Sequence, residues 1–184
     1  MILSQRYREA LVVAFDLHVN QSRKGSGVPY VAHLLGVSSS VLEHGGDEDL
    51  AIAGLLHDAV EDQGGAPTAD DIRLKFGDRV ANVVLECTAP PTDEPWVERK
   101  AAYLAKLRGI SDDARLVASC DKLYNLRTIV SDVSAYGDTV WNRFSGGKEG
   151  VIWYYRELAT HLNAPPVIAR QFLSALEDLL ALGG

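Results

Sequence analysis

The sequence is poor in cysteine. Cys87 and Cys120 are the only two, far apart and in no CxxC pair. That excludes a disulfide framework and reads as two small buried hydrophobes in a reducing compartment. No apolar run approaches the roughly 20 residues of a membrane span. Residues 1–14 carry Arg6, Arg8 and Glu9 among apolar neighbours, an amphipathic helix pattern without a signal-peptide core. These absences imply a cytoplasmic protein with no membrane partner. Positive charge is also scarce: 18 basic against 25 acidic residues give a formal net charge of −7. A general nucleic-acid binder shows the opposite balance. An acidic chain binds an anionic ligand only through a local basic site or a metal. Internal repeats, low-complexity tracts and strand-like alternation are lacking as well.

What is present is an ordinary soluble composition, 47% hydrophobic and 23% charged over 184 residues. That length suits one domain burying about two-thirds of its unfolded surface. The periodicity is helical almost throughout. Ser4 suits an N-cap for a helix to about residue 19. Pro29 suits the first turn of a second helix, to about 44. Asp47, Glu48 and Asp49 open a third with charges that suit its dipole, running to about 62 and stopped by Gly64 and Gly65. Thr68 caps a helix over 69–76, and another follows over 78–87. Residues 88–95 hold three prolines and read as loop. Helices over 96–108, over 112–133 with Ser111 as cap, over 151–162 and from 166 to 182 follow. The glycine-rich stretch 136–150 gives no clear element. The expectation is an all-α fold, a compact single-domain helical bundle over residues 1–184.

The third helix carries the first chemical signal. With about 100° per residue and His57 at 0°, Glu61 falls near 40°, Asp58 near 100° and Asp62 near 140°. Ile52, Leu55, Leu56, Ala59 and Val60 fill the other side. Carboxylates crowding the C-terminal turns of a helix face the negative end of its dipole and one another. A nearby cation removes that penalty, and His57 beside Asp58 offers mixed nitrogen and oxygen donors to a metal. His33, between Ala32 and Leu34, reads either as a hydrogen-bonded core histidine or as a ligand. Asp121 lies in the middle of a mostly apolar helix, with Asn125 and Thr128 following on one stripe. A mid-helix carboxylate there needs a partner, which is either a salt bridge, for example to Arg127, or a metal. Arg23 and Lys24 stand in a glycine-flanked loop. Arg143 and Lys148 flank Gly146 and Gly147, where backbone and cations together suit a phosphate.

Taken in order, these residues form the pattern H…HD…D, and the chain resembles the HD-domain metal-dependent phosphohydrolases. Within that superfamily it is similar to the (p)ppGpp hydrolase domain of the RelA/SpoT homologues, and in size to the small alarmone hydrolases. The matching strings are Arg23-Lys24 before Pro29-Tyr30-Val31-Ala32-His33, then Ala53 to Asp62 with HDAVED at its end. Phe76-Gly77 with Val80, Thr88, and Asp121-Lys-Leu-Tyr-Asn-Leu-Arg-Thr128 follow. The resemblance spans roughly residues 11–130. It implies one Mn²⁺ held by His33, His57, Asp58 and Asp121. It implies Glu61 and Asp62 as the catalytic pair that positions and activates water. It implies nucleotide contacts from Arg23 and Lys24, and sugar and base contacts from Asn125 and Thr128. The implied reaction removes the 3′-pyrophosphate of (p)ppGpp, the alarmone of the stringent response, giving GDP or GTP plus pyrophosphate. Two alternatives stand beside it. One is the same chemistry on (p)ppApp, NADPH or another phosphorylated nucleotide. The other is a non-catalytic nucleotide sensor, which has no need of the Glu61–Asp62 pair. The oligomeric state is not legible in the sequence.

Overall fold

Ser4 starts the helical architecture: its hydroxyl oxygen accepts the Arg6 N–H at 3.1 Å, and α1 runs Gln5–His18. The computed structural model describes residues 2–90 and 93–182. Met1, Pro91 and Thr92 of the expected loop, and the last two glycines lie outside the described residues. After α1 come α2 (Val31–Glu43), α3 (Glu48–Leu56), α4 (Ala59–Asp62), α5 (Ala66–Phe76) and α6 (Asp78–Cys87). Then follow α7 (Trp96–Leu107), α8 (Asp112–Tyr136), a 3-10 helix (Gly137–Arg143), α9 (Gly147–His161) and α10 (Pro166–Leu182). The fold is all-α, with no strand among the described residues beyond an isolated bridge between Ser22 and Pro29.

The chain divides into two compact units, one of residues 1–88 with 111–121, the other of 89–110 with 122–184. In the first, α3 packs against α1, α2 and α6. Its residues Leu50 to Leu56 are all buried, so this helix is apolar all round and central. Leu34, Ile52, Leu55 and Leu56 are among the largest fully buried side chains, each stabilising the fold by about 1.5–3 kcal/mol. Gly54 permits the close approach of α2, because a Cβ there would lie 3.1 Å from the Ser38 Cα. Ser38 donates to the Ala51 carbonyl at 2.8 Å, tying the same two helices. Both cysteines are buried, and burial pushes the Cys120 thiol up to about 11. In the second unit α9 packs against α7 and α10. Trp96 lies over Gly146 and Gly150, where a Cβ would meet its ring at 2.7 and 3.1 Å.

Five sequence expectations are corrected. The third helix is not continuous to Asp62: it ends at Leu56, and Glu61 and Asp62 belong to the one-turn α4. The His57 Nδ1 pairs with the Gly54 carbonyl at 2.9 Å, the group an unbroken helix offers to the Asp58 N–H. The two-sided division of that helix fails for the same segment, since residues 50–57 are buried on every side. Pro29 precedes the second helix rather than entering it; its carbonyl accepts the Ala32 N–H at 3.0 Å. Thr68 is not a cap: α5 begins at Ala66 with Pro67 in its first turn, and the Thr68 hydroxyl donates to the Gln63 carbonyl. In the glycine-rich stretch, α9 starts at Gly147 rather than Val151.

Candidate metal centre

Within the first unit three helices deliver side chains to one point. Tyr30 ends the loop after α1, and one turn later α2 presents His33. The end of α3 presents His57, and Asp58 follows it. Asp121 comes from α8. His33 is 1% exposed, His57 3% and Asp121 4%. The Nε2 atoms of the two histidines are 3.3 Å apart. His57 Nε2 lies 3.0 Å from Asp58 Oδ2 and 3.6 Å from Asp121 Oδ1. His33 Nε2 lies 3.5 and 3.3 Å from the same two oxygens.

Burial works to lower the proton affinity of His57, but the charges and hydrogen bonds of Asp58 and Asp121 outweigh it and hold the ring well above the usual histidine range. Burial works to raise Asp58, and the charge of His57 with hydrogen bonds from His33 and His57 holds it well below the usual carboxylate range. Both directions describe one demand: the buried carboxylates require positive charge where the Nε2 atoms meet. The donor set fits a divalent metal ion, which supplies that charge with both imidazoles neutral. His33, His57 and Asp58 alone already form a group of donors close enough to share an ion. The Gly54 carbonyl facing His57 Nδ1 assigns the proton to that nitrogen, leaving Nε2 its lone pair.

Around these four side chains stand groups that the sequence alone did not assign. The Tyr30 hydroxyl donates to Asp58 Oδ2 at 2.6 Å. Burial, then the charge of Asp58, raises the phenol far above its usual value, so it stays a donor. Its ring stacks on His18 at 5.3 Å between centroids. His18 Nδ1 meets Gln21 Oε1, and Gln21 Nε2 donates to Asp62 Oδ2, each at 2.7 Å. The carboxyl of Asp62 is raised: burial contributes most, the Gln21 hydrogen bond opposes it, and the charges of Asp58 and Glu61 add to it. The only sequence signal for Tyr30 was its place in the Pro29–His33 string; for Gln21 there was none.

The structure therefore brings together His33, His57, Asp58 and Asp121, with Asp62 in contact with Asp58 through its backbone N–H at 2.9 Å. Glu61 is exposed on the same turn. Arg23 and Lys24 lie in a loop whose base is closed by the Arg23 N–H on the Val28 carbonyl at 2.8 Å. The other expected contacts belong to the second unit. Asn125 is half-buried on α8, and the Thr128 hydroxyl donates to the Tyr124 carbonyl. Arg143 is paired with Asp132 at 2.5 Å, and Lys148 lies 3.8 Å from Asp138.

Residues 10–152 match the sequence model of the HD domain. The guanosine-3′,5′-bis(diphosphate) 3′-pyrophosphohydrolase MESH1 of Xenopus tropicalis is 41% identical over 124 residues, covering 66% of this chain and 68% of the relative. The human MESH1 is 39% identical over the same shares. A solved structure described as a metazoan ortholog of SpoT that hydrolyzes ppGpp superposes with a TM-score of 0.81 at 28% identity, covering 96% of this chain and 97% of the other.

Proposed function

Since the chain belongs to the HD-domain family, we propose that it is a metal-dependent 3′-pyrophosphohydrolase of guanosine alarmones. It converts (p)ppGpp to GDP or GTP plus pyrophosphate. The observation that carries this reading is the meeting of two imidazoles and two carboxylates at 3.0–3.6 Å. The activities that the similar proteins carry in their names support it. The residues that would hold the ion are His33, His57, Asp58 and Asp121, and the mixed donor set suits Mn²⁺. When bound, such an ion supplies Lewis-acid stabilisation of a phosphoryl group and lowers the pKa of water.

The remaining work falls to the chain's own side chains. Hydrolysis adds water across the bond between the 3′ oxygen and phosphorus. One proton leaves the attacking water and one ends on the 3′ oxygen. Asp62 and Glu61 take and return that proton; the raised carboxyl of Asp62 moves it toward the range where a general base works at neutral pH. Tyr30 keeps Asp58 oriented. Arg23 and Lys24 bind phosphate, which an acidic chain must do locally. Asn125 and Thr128 bind sugar and base, an assignment that rests on the family resemblance; Arg143 and Lys148 meet phosphate, an assignment that rests on their flanking of Gly146 and Gly147. Residues 1–184 act as one cytoplasmic hydrolase domain, without nucleic-acid or membrane partners. The negative net charge supports the former, and among the described residues no helix is long and apolar enough to cross a membrane.

The test is release of pyrophosphate from ppGpp and ppApp, and of phosphate from NADPH, in the presence of Mn²⁺, beside an Asp58→Ala variant. The expected result is release from ppGpp by the wild type and none by the variant. Release from ppApp alone, or phosphate release from NADPH alone, replaces the guanosine assignment. No metal-dependent turnover of any of the three overturns the enzymatic reading in favour of a sensor.

A further inference from the structure

We propose that Gln21 is a positioning residue for the hydrolytic step, fixing the direction of the Asp62 carboxylate. The proposal rests on the reading of Asp62 as a proton acceptor. Asp62 ends a helix of four residues, and Gly64 and Gly65 follow with φ of 118° and 67°. A single helical turn is too short to hold its own conformation. The direction of its last side chain therefore depends on contacts from elsewhere.

Gln21 supplies such a contact from a fixed place. Its backbone N–H donates to the His18 carbonyl and its carbonyl accepts the Tyr30 N–H, both at 2.9 Å. Its side-chain amide meets three groups at 2.7 Å: His18 Nδ1 and Gln63 Nε2 at Oε1, and Asp62 Oδ2 at Nε2. The orientation of the amide follows from chemistry. An ionised carboxylate only accepts, so the NH₂ group must face Asp62. The carbonyl oxygen then faces His18 and Gln63, and His18 Nδ1 must carry a proton. The opposite atom, His18 Nε2, is buried without a hydrogen-bond partner among the described residues, as suits the lone-pair nitrogen of that tautomer. His18 is itself 1% exposed and stacked on Tyr30 at 17° between planes, and Tyr30 holds Asp58. One buried histidine thus anchors two arms, one reaching a metal ligand and one reaching Asp62 through Gln21. With Oδ2 engaged by the amide, Oδ1 is the atom presented for a proton.

Gln21→Glu is the discriminating change. It keeps the volume and both acceptor contacts, to His18 and Gln63, and puts a carboxylate oxygen that repels Asp62 in place of the amide donor. Steady-state pyrophosphate release from ppGpp should show kcat lower by at least about tenfold, from the lost hydrogen bond to a charged group together with the new repulsion. The uncharged Gln21→Met, which loses the donor without adding charge, should fall by about ten- to a hundredfold. KM should stay within about twofold, and metal content and melting temperature should match the wild type. In an Asp62→Ala background the same change should cause no further loss of residual turnover. Wild-type kcat in Gln21→Glu overturns the inference, as does a loss repeated in full in the Asp62→Ala background, which marks a fold effect. Should Gln21→Glu not fold, Gln21→Met decides by the same comparison. If Asp62→Ala keeps full activity, the reading of Asp62 falls and this inference with it. If Asp62→Ala is inactive while Gln21→Glu is not, only this inference falls.

Discussion

Replacing Tyr30 by phenylalanine deletes one oxygen and tests whether the surroundings of the metal site set its affinity. The hydroxyl donates to Asp58 Oδ2 at 2.6 Å, the same oxygen that lies 3.0 Å from His57 Nε2. The ring, stacked on His18 at 5.3 Å, keeps its place in Tyr30→Phe. A hydrogen bond to a charged group contributes about 1.5–3 kcal/mol. At about 1.4 kcal/mol per factor of ten, that is a loss of about 10- to 150-fold in affinity. Tyr30 is only half-buried, so water can partly replace the lost donor. The lower end, about tenfold, is therefore expected, within the range for such outer contacts. Competitive titration of Mn²⁺ against a chelating indicator measures it, with thermal melting as the control for folding. A folded Tyr30→Phe protein with unchanged Mn²⁺ affinity refutes the reasoning.

Two further outcomes concern the frame that carries the ligands. Gly54→Ala should destabilise the fold by about 1–3 kcal/mol in denaturant unfolding, because the new methyl would crowd the Ser38 backbone at 3.1 Å where α2 and α3 cross. Asp47→Ala should cost about 0.5–2 kcal/mol, because the Asp47 carboxylate caps α3 by accepting the Leu50 N–H at 3.1 Å. Its half-exposed pair with Arg79 adds little. The pH dependence has a definite sign. Burial works to raise Asp47, but the Arg79 and Leu50 hydrogen bonds outweigh it and lower the carboxyl below 3.8. The stability it contributes is fully present above that value and is lost as pH falls through the lower folded value. Acid titrations of stability should therefore separate wild type from Asp47→Ala near neutral pH and converge in strong acid.

Much of the frame was legible because its signals are local. Ser4, Asp47 and Ser111 each cap the helix they precede, with the next turn's N–H groups on their oxygens. His33, His57, Asp58 and Asp121 were legible through the order of their motifs, although their meeting point depends on three helices. The parts that were missed depend on partners distant in sequence or on competition within one turn. At the break after Leu56 the His57 side chain lies on the Gly54 carbonyl, a contact that periodicity does not register. Tyr30 reaches an aspartate 28 positions on, and Gln21 reaches one 41 positions on. The start of α9 lies among glycines that read as loop, yet two of them are where the Trp96 ring comes close.

The most direct test of the central claim is reconstitution. The wild-type chain is stripped with a chelator, assayed for pyrophosphate release from ppGpp, and assayed again after Mn²⁺ is restored, beside an Asp121→Ala variant taken through the same steps. The account predicts that activity disappears with the metal, returns with it in the wild type, and does not return in Asp121→Ala, whose bound metal falls as well. Full turnover by the stripped wild type, or by Asp121→Ala, would contradict it.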